Sequence, residues 1–89
     1  MGDVTELIAA ARGGDRASND RLFEAVYADL HRIAERHVDR RRGDGMQATS
    51  LVHEAWFRLA RPEALAQGDR EHFFAVAARA MRQLVVDHA

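Results

Sequence analysis

Chemistry is sought first where histidine meets glutamate. His53-Glu54 opens like a zinc-protease signature, which needs a second histidine one helical turn on to complete the metal's ligands, but Phe57 stands there. His31 and Glu35 share a helix face at one-turn spacing, which suits a solvated ion pair better than a metal site. No glutamate is followed three residues later by histidine, so the di-iron bundle pattern is missing. Gly43-Asp44-Gly45-Met46-Gln47-Ala48 has dinucleotide-binding spacing, but it follows an arginine-rich helical stretch where that motif needs a strand. The chain has no cysteine, hence no thiolate metal site, no disulfide and no cysteine nucleophile. These residues point away from an enzyme, and no cofactor or metal is expected.

Three other features bear on binding. A stretch from Gln47 to Leu59 pairs a compact apolar stripe with a polar face and starts on Gln47, Ala48, Thr49 and Ser50. Trp56, Phe57, Phe73 and Phe74 bracket an exposed loop that holds Arg61, Arg70 and His72. Arg79 and Arg82 lie about one turn apart further on. Arginines beside aromatics around a loop can hold single-stranded nucleic acid by phosphate pairing and base stacking. For Trp56 and Phe73 the core of a small bundle is the preferred reading, because aromatics dominate cores.

The charge pattern restrains that reading. All 13 basic side chains are arginine, and against 14 carboxylates the formal net charge is -1. A domain that coats duplex DNA by charge alone is strongly basic. With 89 residues there is room for one domain, expected to span 1–89. No apolar run approaches the ~20 residues of a membrane span and no signal-peptide pattern opens the chain, so a soluble cytoplasmic protein is the expectation.

The elements that must position these residues are helices. No stretch alternates apolar and polar residues as a half-buried strand does. Asp3 to Glu6 reads as a helix start, with Val4, Leu7, Ile8 and Ala11 as its stripe and Gly13-Gly14 as its stop. Ser18 or Asn19 can cap a long second helix carrying Leu22, Val26, Leu30, Ile33 and His37, widened by Phe23, Tyr27, Ala34 and Val38. Its tail, His31 to Arg42, sets five arginines against two carboxylates, a local charge of +3, before the break at Gly43-Asp44-Gly45. A third helix runs from about Ala48 to Ala60, ahead of Pro62. The connector from Pro62 to Gly68 has room for one short turn, and Asp69 caps a last helix lined by Phe73, Ala77, Ala80, Met81 and Leu84. That helix reaches Ala89 without a stop signal, so the natural chain is expected to continue. The sum is an all-α small helical bundle of three main helices plus a possible short turn.

Two segments carry a resemblance. Gln47-Ala48-Thr49-Ser50-Leu51-Val52-His53-Glu54-Ala55-Trp56-Phe57-Arg58-Leu59 resembles region two of extracytoplasmic-function (ECF) sigma factors, in particular a subgroup reading ATALVHEAYLRL. His72 to Arg82 and Val86 to Ala89 resemble the final helix of the same subgroup, and Val4 to Gly14 and Tyr27 to Arg36 fit as well. The resemblance implies a sigma region-two domain that docks on the clamp helices of the largest subunit of core RNA polymerase. It also implies melting of promoter DNA at the minus-ten element, with capture of a non-template base. By position, Thr49, Ser50, Leu51, Val52, Glu54, Phe57 and Arg58 fall in the polymerase-docking helix. Arg61, Arg70, His72, Arg79 and Arg82 fall on the DNA-binding side.

One departure stands out. Ordinary members resemble Asp-Ala-Glu-Asp at the start of the docking helix, where this chain has Gln47, Ala48, Thr49 and Ser50 with no negative charge. Some members resemble a scheme in which a serine/threonine kinase modifies the corresponding threonine. Phosphorylation of Thr49 would supply roughly −1.5 to −2 of charge at that helix terminus. Capping of the helix by the Thr49 or Ser50 hydroxyl is the alternative role. The competing class for the whole chain is a helical protein–protein interaction or regulatory module that does not bind polymerase.

Overall fold

The computed structural model describes residues 4–38, 47–59 and 69–88, and these form four helices and no strand. They are α1 (Val4–Ala11), α2 (Arg16–His37), α3 (Ala48–Leu59) and α4 (Arg70–His88). The expected all-α bundle is therefore present, with three long helices and the shorter α1. The short turn expected between Pro62 and Gly68 lies outside the described residues.

Apolar residues recur at helical spacing, and that recurrence builds the core. Leu22, Val26, Leu30 and Ala34 descend one face of α2 in steps of four, and all are fully buried. They meet Leu51, Val52, Ala55 and Leu59 of α3, Phe73, Ala77, Met81 and Leu84 of α4, and Ile8 and Ala11 of α1. Full burial of each large apolar side chain contributes about 1.5–3 kcal/mol. Each helix also buries one alanine (Ala11, Ala34, Ala55, Ala77), and small side chains at a crossing let helix axes approach closely. In α2 this corrects the expected stripe. Ala34 takes the fourth inward position, and Ile33 and His37 are half-buried at the flank. Each four-residue step advances about 40° around the axis, so the buried row winds across α2 from Leu22 to Ala34 and leaves Ile33 and His37 at its edge.

The ends of α2 also differ from expectation. Asp15, in extended backbone, caps the N-terminus: its Oδ2 accepts from the Ser18 N–H at 3.1 Å and the Ser18 hydroxyl at 2.8 Å. Ser18, expected as a cap, is thus the donor that the cap satisfies, and the helix starts three residues earlier. These hydrogen bonds, the side-chain one first, hold the Asp15 carboxyl below its usual range. Gly14, at φ +82°, makes the turn between α1 and α2 in the left-handed region that favours glycine. At the other end α2 is described to His37. The backbone turns extended at Val38, whose N–H bonds the Ala34 carbonyl at 3.1 Å. Residues 39–46 lie outside the described residues, so Arg32 and Arg36 are the tail arginines placed on the helix.

Candidate functional site

α3 has two contrasting sides. Leu51, Val52, Ala55 and Leu59 point into the core, while Ser50, Glu54, Phe57 and Arg58, spaced as one helical face, are exposed. Leu51 and Val52, which the resemblance placed in the docking helix, are wholly buried and fix how α3 sits. Phe57 is the unusual member of the outer face: a large aromatic left 75 % exposed.

The start of α3 is held by a cross-helix ladder. The Gln47 carbonyl accepts the first helical bond, from the Leu51 N–H at 2.9 Å, and no acidic residue lies in the first turn. The Thr49 hydroxyl is turned toward α2. It faces His31 Nε2 of α2 at 3.4 Å, and His31 Nδ1 faces Glu35 Oε1 at 3.4 Å. The His31–Glu35 contact is thus the one-turn pairing that the spacing predicts, and among the described residues no cluster could hold a metal ion. Above it, Tyr27 lies 6.3 Å from His53 and Phe23 lies 4.8 Å from Trp56, ring to ring. Phe23, Tyr27 and His31 on α2 therefore run antiparallel to Trp56, His53 and Thr49 on α3, one turn per rung.

The core reading preferred for Phe73 and Trp56 holds, Phe73 being buried and Trp56 packed against the core. Trp56 packs against Phe23 with the rings tilted, Phe57 stands in solvent, and Phe73 is core with Phe74 edge-on to it at 5.3 Å. Four neighbours in sequence pattern separate because consecutive helix positions diverge by about 100°.

On α4, Asp69 caps the helix as expected, its Oδ1 accepting the His72 N–H at 2.7 Å. The His72 side chain is half-buried, and Arg79 and Arg82 are exposed. Arg70 is set against α2: its guanidinium lies 5.6 Å over the Phe74 ring and 3.9 Å from Asp29 Oδ2. Asp29 also holds Arg32 through a hydrogen-bonded ion pair. Arg61 and the connector residues after it lie outside the described residues. Sequence reasoning did not assign Arg32 and Arg36 to a site; their clustering in the basic tail was the available signal. Among the described residues, no helix is long and apolar enough to cross a membrane.

A family model described as "ECF sigma factor" matches residues 1–89. No curated protein and no solved structure matches the chain.

Proposed function

The chain belongs to the ECF sigma factor family, whose members are transcription initiation factors acting with core RNA polymerase at promoter DNA, and on that premise we propose a division of labour between its helices. The outer face of α3 docks on the polymerase clamp helices through Ser50, Glu54, Phe57 and Arg58. Phe57 carries this reading: 75 % exposed on the same face as Ser50, Glu54 and Arg58, it gives that face an aromatic side chain of the kind that anchors interfaces when buried against a partner. α4, through Arg70 and His72 in its first turn and Arg79 and Arg82 further along, faces the melted minus-ten element.

Thr49 is the phosphorylation site that governs docking. It is exposed, it sits in the first turn of α3, and that turn has no acidic residue. A phosphate there adds roughly −1.5 to −2 of charge. At a helix N-terminus one negative charge is favourable by about 0.3–1 kcal/mol, and each charge-assisted bond to a basic clamp residue adds to that. His31, already 3.4 Å from the hydroxyl, is positioned to steady the phosphate from α2.

The test compares core-polymerase affinity of the unmodified chain, Thr49→Asp and Thr49→Ala. Tighter binding by the aspartate form alone supports the switch, and equal affinity in all three removes it. A chain that ignores core polymerase even with the aspartate belongs to the other class, a helical interaction module.

A further inference from the structure

We propose that His31 is the built-in partner of a phosphate on Thr49, and that its Nε2 takes up a proton when Thr49 is modified. This rests on the Thr49 switch proposed above, and it names the proton that regulates how the phosphate is held.

Glu35 Oε1 faces His31 Nδ1 at 3.4 Å, so the ring proton of a neutral imidazole belongs on Nδ1. Nε2 is then an acceptor, 3.4 Å from Thr49 Oγ1, whose hydroxyl is the threonine side chain's one donor. Phosphoryl transfer from a nucleoside triphosphate forms the Oγ1–P bond, breaks the donor's bond to its terminal phosphorus and releases the Oγ1 proton. Acceptor oxygens then stand where the donor was. A neutral ring presents them with a lone pair. A ring that gains the released proton, directly or through solvent, presents an N–H instead. The imidazolium lies between two anions, the phosphate at Nε2 and Glu35 at Nδ1. Two other titratable rings share this side of the helix pair. Tyr27 lies 6.0 Å from His31 between ring centres, and His53 of α3 faces Tyr27 at 6.3 Å and Phe23 at 5.5 Å. The charged contact between α2 and α4, Asp29 with Arg70, starts two residues before His31 and so on the far side of α2. Ser50 is exposed about 100° further round α3, on the outer face, so a phosphate there points away from His31.

The experiment follows the phosphate itself, in the full chain prepared with phosphothreonine at position 49. Its second ionisation, titrated by 31P NMR, should have a midpoint about half a pH unit to one unit lower than in the His31→Gln chain, as one cation about 4 Å away in a solvated setting supplies. Both chains keep the same helix terminus, so the difference reports the ring. His31→Arg should restore the low midpoint, and His53→Gln should leave it unchanged. Phosphoserine at Ser50 should titrate alike with and without His31. At constant pH, the 15N shifts of the His31 ring should move toward the doubly protonated form when Thr49 is modified. Equal midpoints in the native and His31→Gln chains overturn the proposal, as does a difference that follows His53 instead. Should His31→Gln not fold, a native ring whose 15N shifts ignore the modification overturns it equally. Affinity of the modified and unmodified native chains for core polymerase tests the switch reading separately: equal affinity sinks that reading, and the midpoint still decides the pairing.

Discussion

Phe57→Ala separates docking from folding, and both magnitudes can be worked from its position. The side chain is 75 % exposed, so its loss removes little buried surface and leaves no cavity. Unfolding free energy should change by no more than about 0.5 kcal/mol. Docking is another matter. An aromatic side chain buries about 150–250 Å² when covered, so three quarters of a mid-range value is about 150 Å² available to a partner. At about 25 cal/mol per Å² the ceiling is about 4 kcal/mol. Ordering the ring and imperfect coverage reduce this, and a loss of about 1–2 kcal/mol, a fivefold to thirtyfold weaker Kd, is expected. Leu51→Ala is the counterpart: Leu51 is wholly buried, and truncation should cost about 2–5 kcal/mol of stability. The assay pairs urea unfolding with competition for core polymerase against a labelled chain carrying Thr49→Asp. A Phe57→Ala chain that folds normally and binds polymerase undiminished would remove the outer face of α3 from the docking interface. A several-degree fall in its Tm would show that the ring is structural after all.

Two further predictions concern the turn that joins α1 to α2. Gly14 at φ +82° should not tolerate a side chain, and Gly14→Ala should cost about 1 kcal/mol, or about 4–8 °C in Tm. Gly13→Ala should be nearly neutral by the same melt, since a Cβ there meets only the Ala10 carbonyl at an ordinary 3.7 Å. The Asp15 carboxyl, held low by Ser18, makes stability depend on pH with a definite sign. The unfolded chain binds the proton more tightly. The cap's contribution is therefore full above the usual carboxylate range and is lost as pH falls through the lowered folded value. Urea unfolding at about pH 6 and about pH 3 checks this: Asp15→Asn, which keeps an oxygen acceptor, should show a smaller difference between the two than the native chain.

The legible and hidden parts of this domain divide by the range of the interaction. Leu22, Val26 and Leu30, or Phe73, Ala77 and Met81, announce a buried face because their spacing is set by the helix alone. Asp69 reads as a cap for the same local reason. The start of α2 was harder, since Asp15, Ser18 and Asn19 are all good caps and only the backbone turn at Gly14 selects Asp15. The ladder from Phe23–Trp56 to His31–Thr49 depends on the antiparallel register of two helices, which no local spacing encodes. The same holds for Arg70 against Asp29, 41 positions apart in the chain. The resemblance counted Leu51 and Val52 among the docking residues, whereas the apolar stripe they belong to turns both of them inward.

Where the burial falls explains why the overall composition said so little about binding. Among the described residues no polar or charged residue is counted in the core, and the interior is built of apolar packing. Every group that could recognise a partner lies on a surface, and each surface belongs to a particular pair of helices. A formal charge of -1 averages over a first turn of α3 with no acid, an arginine cleft between α2 and α4, and carboxylates spread elsewhere. Screening confines each of these to about 8–10 Å in physiological salt. A partner touching α3 therefore meets local charge, and one negative group added at Thr49 changes that local field far more than it changes the total. On this argument the neutral average allows a small domain to be gated by a single modification, because no large background field of either sign drowns it.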